Sequence, residues 1–512
     1  MLRFAAPTAL SALLLLLSSC EGLESIHQNN PARKNIIAAG KDLKPVLNSG
    51  YQDWWLAVHD AIPAISLGVA ADAYSLSWDD FGARRLGDEP RREYNNRASE
   101  SSEYRQIAEG PWFGCLSAVS NANDVLAAME RGISIDNGGG LDRSARAGAH
   151  LLRGLSWGYL GLLFDEVILA DEQTDLEKMA DFSPYREAVQ AAVGELDEAI
   201  ALAALGGGDF IHSAFNGLTL NSAQFIALCN AYAARFLAQW PRTAAENAEV
   251  DWAEVLRRAE RGLDYDFAPL ADGRSWRSYH RYAFAETGEG PFWARVDQRL
   301  ITALDPSQPA RYPEVQALGE PPLTSPQAQS ADQRLLSDFK YFPNQAFPSA
   351  GGEWHFSHYQ HHRNVTQPGF AGNGANNGPM PVFLAADNAL LRAEALLRLN
   401  RSAEAVALLN QGPRTTRGGL PALSAAATPP LIEQAIFYER AIELLGTAPL
   451  SLFFDRRRLG PRVPHDELDA LGGLQIGTPA QLPVPASELR VHGLPPYNFG
   501  GEQDPQGIIR RY

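Results

Sequence analysis

The stretch NALLRAEALLRLNRSAEAVALLNQ, Asn388 to Gln411, decides the fold. It reads as two amphipathic helices parted by a break of one or two residues. Its first half places Ala389, Ala393 and Ala395 where a second backbone can approach, and its second half turns alanines inward. A helix pair of roughly 34 residues with this alternation of small and large is tetratricopeptide-like. Such a pair cannot bury its own apolar stripe and must stack on neighbours.

Working outward, the same logic recurs. Residues 143–169 form an apolar helix carrying Ala147, Gly148, Gly154 and Gly158. Residues 183–205 open with Ser183 as N-cap and Pro184 at the first helical position, the places those residues favour. Val189, Val193, Leu196, Ile200 and Ala203 follow at spacings of three and four, which gives one buried face. Residues 221–240, with Ala231, Ala233 and Ala234, pair with 251–264, and 430–446 is a helix ended by Gly446. Nearer the start, 53–74 and 104–130 are helical, and the Gly triplet near 138–140 is a turn. The expected fold is all-α: about four tetratricopeptide-like hairpins carrying long irregular loop insertions. Irregular spacing between the hairpins keeps a plain helical bundle as the alternative.

Composition narrows the function. The chain has 512 residues, 44 basic and 60 acidic, for a net charge of −16. No basic excess is available to neutralise phosphates, so nucleic acid is not an expected partner. Three cysteines make no disulfide framework; Cys115 and Cys229 sit in apolar helical contexts as small hydrophobes. The N-terminus differs from the rest. Arg3 precedes a short apolar run, Ala9 to Leu17, which ends in Leu17-Ser18-Ser19-Cys20. The run is too short to span a bilayer of roughly 30 Å. Small residues before a cysteine resemble a lipobox, with Cys20 as the lipidated first residue of the mature chain.

Residues 265–386 break the helical pattern and are rich in Pro, Gly, Gln, Asn and aromatics. A long irregular segment inside a domain calls for a functional reason. Sugar rings present apolar C–H faces that stack on Trp and Tyr, while Asn, Asp, Gln and Arg bind their hydroxyls. The candidate ligand residues are therefore Tyr74, Trp78, Trp276, Tyr279, Trp293, Trp354, Asn373 and Asn376. Trp54 and Trp55 lie on a helix and read as core. His355, His358, His361 and His362 are spaced by three and four; on a helix they would share one face able to hold Zn or Cu. Adjacent carboxylates such as Asp165-Glu166 are expected by chance among 60 acidic residues. No nucleophile elbow or phosphate loop stands in the required context.

The ordered motifs resemble the SusD/RagB family of outer-membrane nutrient-binding lipoproteins. They are the lipobox; Arg392-Ala393-Glu394; Leu409-Asn410 with Arg414 and Arg417; Glu439-Arg440 and Glu443-Leu444; Asp455 to Arg458; and Pro483, Pro485 and Glu488-Leu489. The segment LLGTAPLS, from Leu444, departs from the family's usual Glu-Gly pattern. The resemblance implies one helical domain of four tetratricopeptide-like pairs, with no cofactor and no catalysis. It implies that the protein caps a TonB-dependent, SusC-like outer-membrane transporter and delivers an oligosaccharide or a peptide to it. The expected division is a signal peptide over 1–19, a tether over 20–50 and a single domain over 51–512. Within that domain the scaffold is mainly 51–264 and 387–446, the ligand and partner region is 265–386, and 447–512 is an irregular tail. The expected location is the outer membrane, lipid-anchored and exposed at the surface. Two alternatives stand beside this reading: a lipid-anchored scaffold for envelope assembly, and a metal-dependent hydrolase built on His355–His362.

Overall fold

The structure is a computed structural model, and it describes residues 37–76, 80–175, 178–206, 215–278, 294–311, 325–343, 355–363, 378–447, 450–459, 462–464 and 472–512. The expected signal peptide over 1–19 and Cys20 lie outside these residues. The main helices are α1 (Gly40–His59), α2 (Ala61–Ala70), α3 (Ser102–Glu130), α4 (Gly140–Leu163), α5 (Tyr185–Ala204), α6 (Ser222–Gln239) and α7 (Trp252–Ala259). After the irregular middle come α8 (Gln298–Leu304), α9 (Arg334–Asp338), α10 (Ala385–Arg398), α11 (Ser402–Gln411), α12 (Pro429–Ile442), α13 (Ser451–Arg458) and α14 (Ala486–Val491).

Four antiparallel pairings build the scaffold: α1 with α3, α4 with α5, α6 with α7, and α10 with α11. Each pair also packs on the next, α3 on α4, α5 on α6 and α7 on α10, and α12 covers the end of the stack against α10. Such nearest-neighbour stacking is how helical repeats bury stripes that single pairs leave open. The glycines of α4 let it happen. A Cβ on Gly154 would meet the Ala192 carbonyl oxygen at 3.0 Å, and one on Gly158 would meet the Phe236 ring at 2.2 Å. Trp54, Trp55, Cys115 and Cys229 are fully buried, and these two thiols are free.

The 388–411 hairpin forms as read, with a longer break. Asn400 takes a left-handed φ of 60°, tolerable for a short polar side chain. The Arg401 N–H donates to the Leu396 carbonyl at 2.8 Å and Asn400 N–H to Leu397 at 3.0 Å. These two bonds are a Schellman closure that satisfies the last carbonyls of α10. Two other expectations change. Ser183 lies in a strand and Pro184 becomes the N-cap of α5, because Phe182–Pro184 pairs with Glu166–Ile168. Helix α1 begins at Gly40, inside the stretch read as tether, and buries Leu43, Leu47 and Tyr51. Those apolar residues recur every four positions, but the intervening Lys44, Asn48 and Ser49 mask the stripe.

Two buried arginines lock the helix ends together. Arg457 donates to the carbonyls of Leu162 at 2.7 Å, Gln239 at 2.9 Å and Pro241 at 3.1 Å. Arg242 donates to Gly161 at 2.7 Å, Phe164 at 3.2 Å and Trp240 at 2.8 Å. The final carbonyls of α4 and α6 have no helical donors, and their partial negative charge favours a cation. Burial nevertheless lowers both guanidinium pKa values, that of Arg242 to about 10.

Candidate functional site

Between the two halves of the stack, short ladders organise the irregular region. Strand β1 (Tyr74–Leu76) pairs antiparallel with a strand over Ala294–Val296, with Tyr74 opposite Val296 and Leu76 opposite Ala294. Asp297 then bridges Phe356, and its N–H donates to the Ala73 carbonyl at 3.0 Å. Leu76 and Ala294, the described residues nearest in sequence to Trp78 and Trp293, thus share one end of the ladder. Phe356, two positions after Trp354, lies at the other end. Trp78, Tyr279, Trp293, Trp354, Asn373 and Asn376 themselves lie outside the described residues.

The other two candidates are packed. Tyr74 is 4% exposed and its ring fills the space beside Gly68. Trp276 is 7% exposed, with its ring centroid 5.0 Å from that of Trp55. The Trp55 indole N–H donates to the Arg277 carbonyl at 2.5 Å, and Arg277 pairs with Asp60 at 2.5 Å. These contacts fasten the segment that leads toward Tyr279 to the C-terminal end of α1.

Beneath the ladder lies a buried charge cluster. Asp72 pairs with Arg91, with Arg299 at 2.7 Å and with Arg456 at 3.1 Å. Glu89 meets His355 Nε2 at 2.9 Å. Burial would raise the Glu89 pKa, but the His355 hydrogen bond and charge, with Arg299, outweigh it and hold the carboxyl below its usual value. Matched charges of this kind position backbone and leave little reactivity.

The histidine cluster is not helical. Tyr359–His361 is a strand paired with Phe339–Tyr341, so successive side chains alternate faces and the one-faced metal site does not form. His358 Nδ1 lies 2.8 Å from the Phe342 carbonyl, which can only accept, so Nδ1 carries the proton. Its Nε2 in turn accepts the Ser325 N–H at 3.1 Å. Burial lowers the His361 pKa to about 3. Among the described residues, no group of three or more His, Cys, Asp or Glu is placed to hold a metal ion.

The family-like motifs meet one another in space. Glu394 on α10 binds Arg458 in a bidentate fork, both distances 2.7 Å, and Arg440 at 2.9 Å. Asp455 closes the set, with Arg440 at 2.5 Å and Arg458 at 2.8 Å. Burial would raise the Glu394 pKa, but Arg458 and Arg440 overcome it and hold the carboxyl far below its usual value. A second network joins Arg334 to Glu439 at 2.7 Å and Asp332 at 2.7 Å, and Arg417 to Asp338 and Glu443, each at 2.7 Å. Asn410 accepts from the Leu423 N–H at 2.8 Å and donates to its carbonyl at 2.9 Å, pinning the turn between them. Motif positions are thus structural wiring. Arg334, the partner of Glu439 and Glu443, carries no signal in the sequence that sets it apart from other arginines.

One further feature escapes sequence reasoning: a pocket of about 470 Å³ between α7, α10, α12 and the end of α13, lined in part by Trp252, Arg398, Glu433 and Phe437. Three other cavities measure 20–30 Å³, room for little more than a water.

Residues 270–466 match the sequence model of the SusD family. No curated protein matches the chain. Among solved structures, a SusD superfamily protein from Parabacteroides distasonis shares 14% identity, with a TM-score of 0.61 over 88% of this chain and 97% of its own. A SusD homolog from Bacteroides thetaiotaomicron shares 15%, with a TM-score of 0.61 over 88% and 96%. A SusD-like carbohydrate binding protein from Bacteroides vulgatus shares 13%, with a TM-score of 0.57 over 84% and 87%. Residues 270–466 thus carry the sequence pattern of the SusD family, and the helical fold is shared with SusD superfamily structures over most of the chain's length.

Proposed function

We propose that this protein is a lipoprotein of the outer membrane, anchored through Cys20, that binds an oligosaccharide and passes it to a TonB-dependent transporter without chemistry of its own. The carrying observation is the fold shared with a structure described as a SusD-like carbohydrate binding protein. A lipid anchor would leave the folded part in water; no described helix is long and apolar enough to cross a membrane.

The test is direct binding of neutral oligosaccharides to the full mature chain, followed by Trp78→Ala and Trp293→Ala. Each substitution should weaken binding at least tenfold and leave the melting temperature unchanged. Saccharide binding that both variants retain would remove the aromatic site, and absence of any saccharide or peptide ligand would remove the function. The transporter partner is tested separately, by co-purification of the lipidated protein with an outer-membrane barrel.

A further inference from the structure

The pocket on the helical scaffold is of a different kind from the aromatic loops. Its volume of about 470 Å³ lies inside the range of roughly 300–1,000 Å³ usual for small-molecule sites. Trp252 forms the floor at 8% exposure, with the Arg398 guanidinium 5.9 Å and that of Arg458 5.7 Å from its ring centroid. A ring fixed in this way loses little freedom when a ligand arrives. Half-buried Phe437 supplies the more open aromatic surface.

The polar groups of the pocket are charge-balanced. Arg458 is committed to Glu394 and Asp455 and donates to Asn247 Oδ1 at 3.0 Å. Arg398 pairs with Glu433 at 2.5 Å, and both are partly open to solvent. An anionic ligand would meet the Glu433 carboxylate, and a cationic one would meet Arg398. A wholly apolar ligand would strip water from the Arg398–Glu433 pair without replacing it. A neutral polyhydroxylated ring meets none of these penalties: its apolar face lies on an aromatic wall, and its neighbouring hydroxyls exchange hydrogen bonds with the planar guanidinium and carboxylate.

We propose that this pocket is a second saccharide subsite, borne by the rigid scaffold and selective for neutral pyranose units. It rests on the saccharide reading above for ligand class but not for location. The probes are the neutral disaccharides maltose, cellobiose, lactose and xylobiose, with glucuronate and galacturonate as charged counterparts, titrated calorimetrically into the full mature chain. At least one neutral disaccharide should show a binding step whose affinity falls at least tenfold in both Glu433→Gln and Phe437→Ala and holds in Trp78→Ala, separate from the step that Trp78→Ala weakens. Glu433 is partly exposed, so its variant should melt as the parent does and guards against a Phe437 variant that folds poorly. Disaccharide binding lost in Trp78→Ala and kept in Glu433→Gln would overturn the subsite and leave the loop site standing. Binding of the uronates alone at the pocket would overturn its neutral selectivity. Failure of every sugar, at either site, would overturn both readings.

Discussion

The two halves of the stack differ in how much charge they bury. From α1 to α7 the interfaces are mainly apolar and close, set by alanines and by the glycines of α4, with separate ion pairs such as Arg153 with Glu195 and Arg258 with Asp197. From α9 to α13 they are threaded by buried ion pairs, Glu394 with Arg440 and Arg458, and Arg334 with Asp332, Glu439 and Glu443. Small-residue packing can be met by many sequences of similar volume. A buried carboxylate between two guanidiniums cannot, since removing one member strands the others. The match to the family's sequence model, over 270–466, takes in these ion pairs, while the fold extends over 88% of the chain at about 14% identity.

The most severe way to break the comparison is Glu394→Ala. It leaves Arg440 and Arg458, at 2% and 0% exposure, with Asp455 alone to balance them, and should cost about 3–5 kcal/mol. Thermal or denaturant unfolding of the mature chain measures it. A loss under about 1 kcal/mol, the scale of a surface pair, would mean the charged half is held by packing after all.

Asp165 sits at the seam where the C-terminal tail folds back on α4. It accepts from the Tyr497 hydroxyl at 2.9 Å and pairs with Arg510 at 2.7 Å. Burial outweighs these partners and raises its pKa to about 6. The folded chain therefore binds this proton more tightly than the unfolded chain, whose Asp titrates near ~3.9. The stability it contributes is fully present below about pH 4 and is lost as pH rises through about 6. Asp165→Asn stays neutral throughout. Its stability relative to the parent should improve by up to about 3 kcal/mol between pH 4 and 7, read from unfolding curves across that range. A difference that does not change with pH would show the seam to be well solvated.

Within the apolar half, Gly158→Ala places a methyl against the Phe236 ring, 2.2 Å from its nearest atom. Overpacking of this kind costs about 1–3 kcal/mol. A neutral result would show that the interface between α4 and α6 has slack, and the contrast between the halves would soften.

The sequence exposes the helices because three- and four-residue spacing is a local signal. It names Glu394, Glu439, Arg440 and Asp455 through the family's motifs, but what those residues do depends on partners far away: Arg334 lies about a hundred positions before Glu439, and nothing local marks it. The start of α1 is hidden by its polar residues, although Leu43, Leu47 and Tyr51 keep the spacing. The histidines mislead for the reverse reason. Spacings of three and four look helical, yet pairing with Phe339–Tyr341 makes their segment a strand. Of the candidate ligand residues, Tyr74 and Trp276 carry the right chemistry in a packed setting, since an aromatic loop anchor and an aromatic ligand platform have the same composition. The scaffold pocket is assembled from five separate helices, the short one at Ala244–Asn247 included, and no single window of sequence contains it.

The gentlest test uses a glycine that does nothing for packing. Gly194 lies on the exposed face of α5, and a Cβ there would meet nothing within 4 Å. Its only effect is backbone freedom, which costs a helix interior roughly 0.5–1 kcal/mol relative to alanine. Gly194→Ala should therefore stabilise the protein by that amount, while the same change at Gly158, one helix away, destabilises it. The pair separates glycine as a spacer from glycine as an accident of the solvent face. If Gly194→Ala destabilised the isolated chain, the outer face of α5 would be packed against something, and the stack would be wider than the four helix pairs that now account for it.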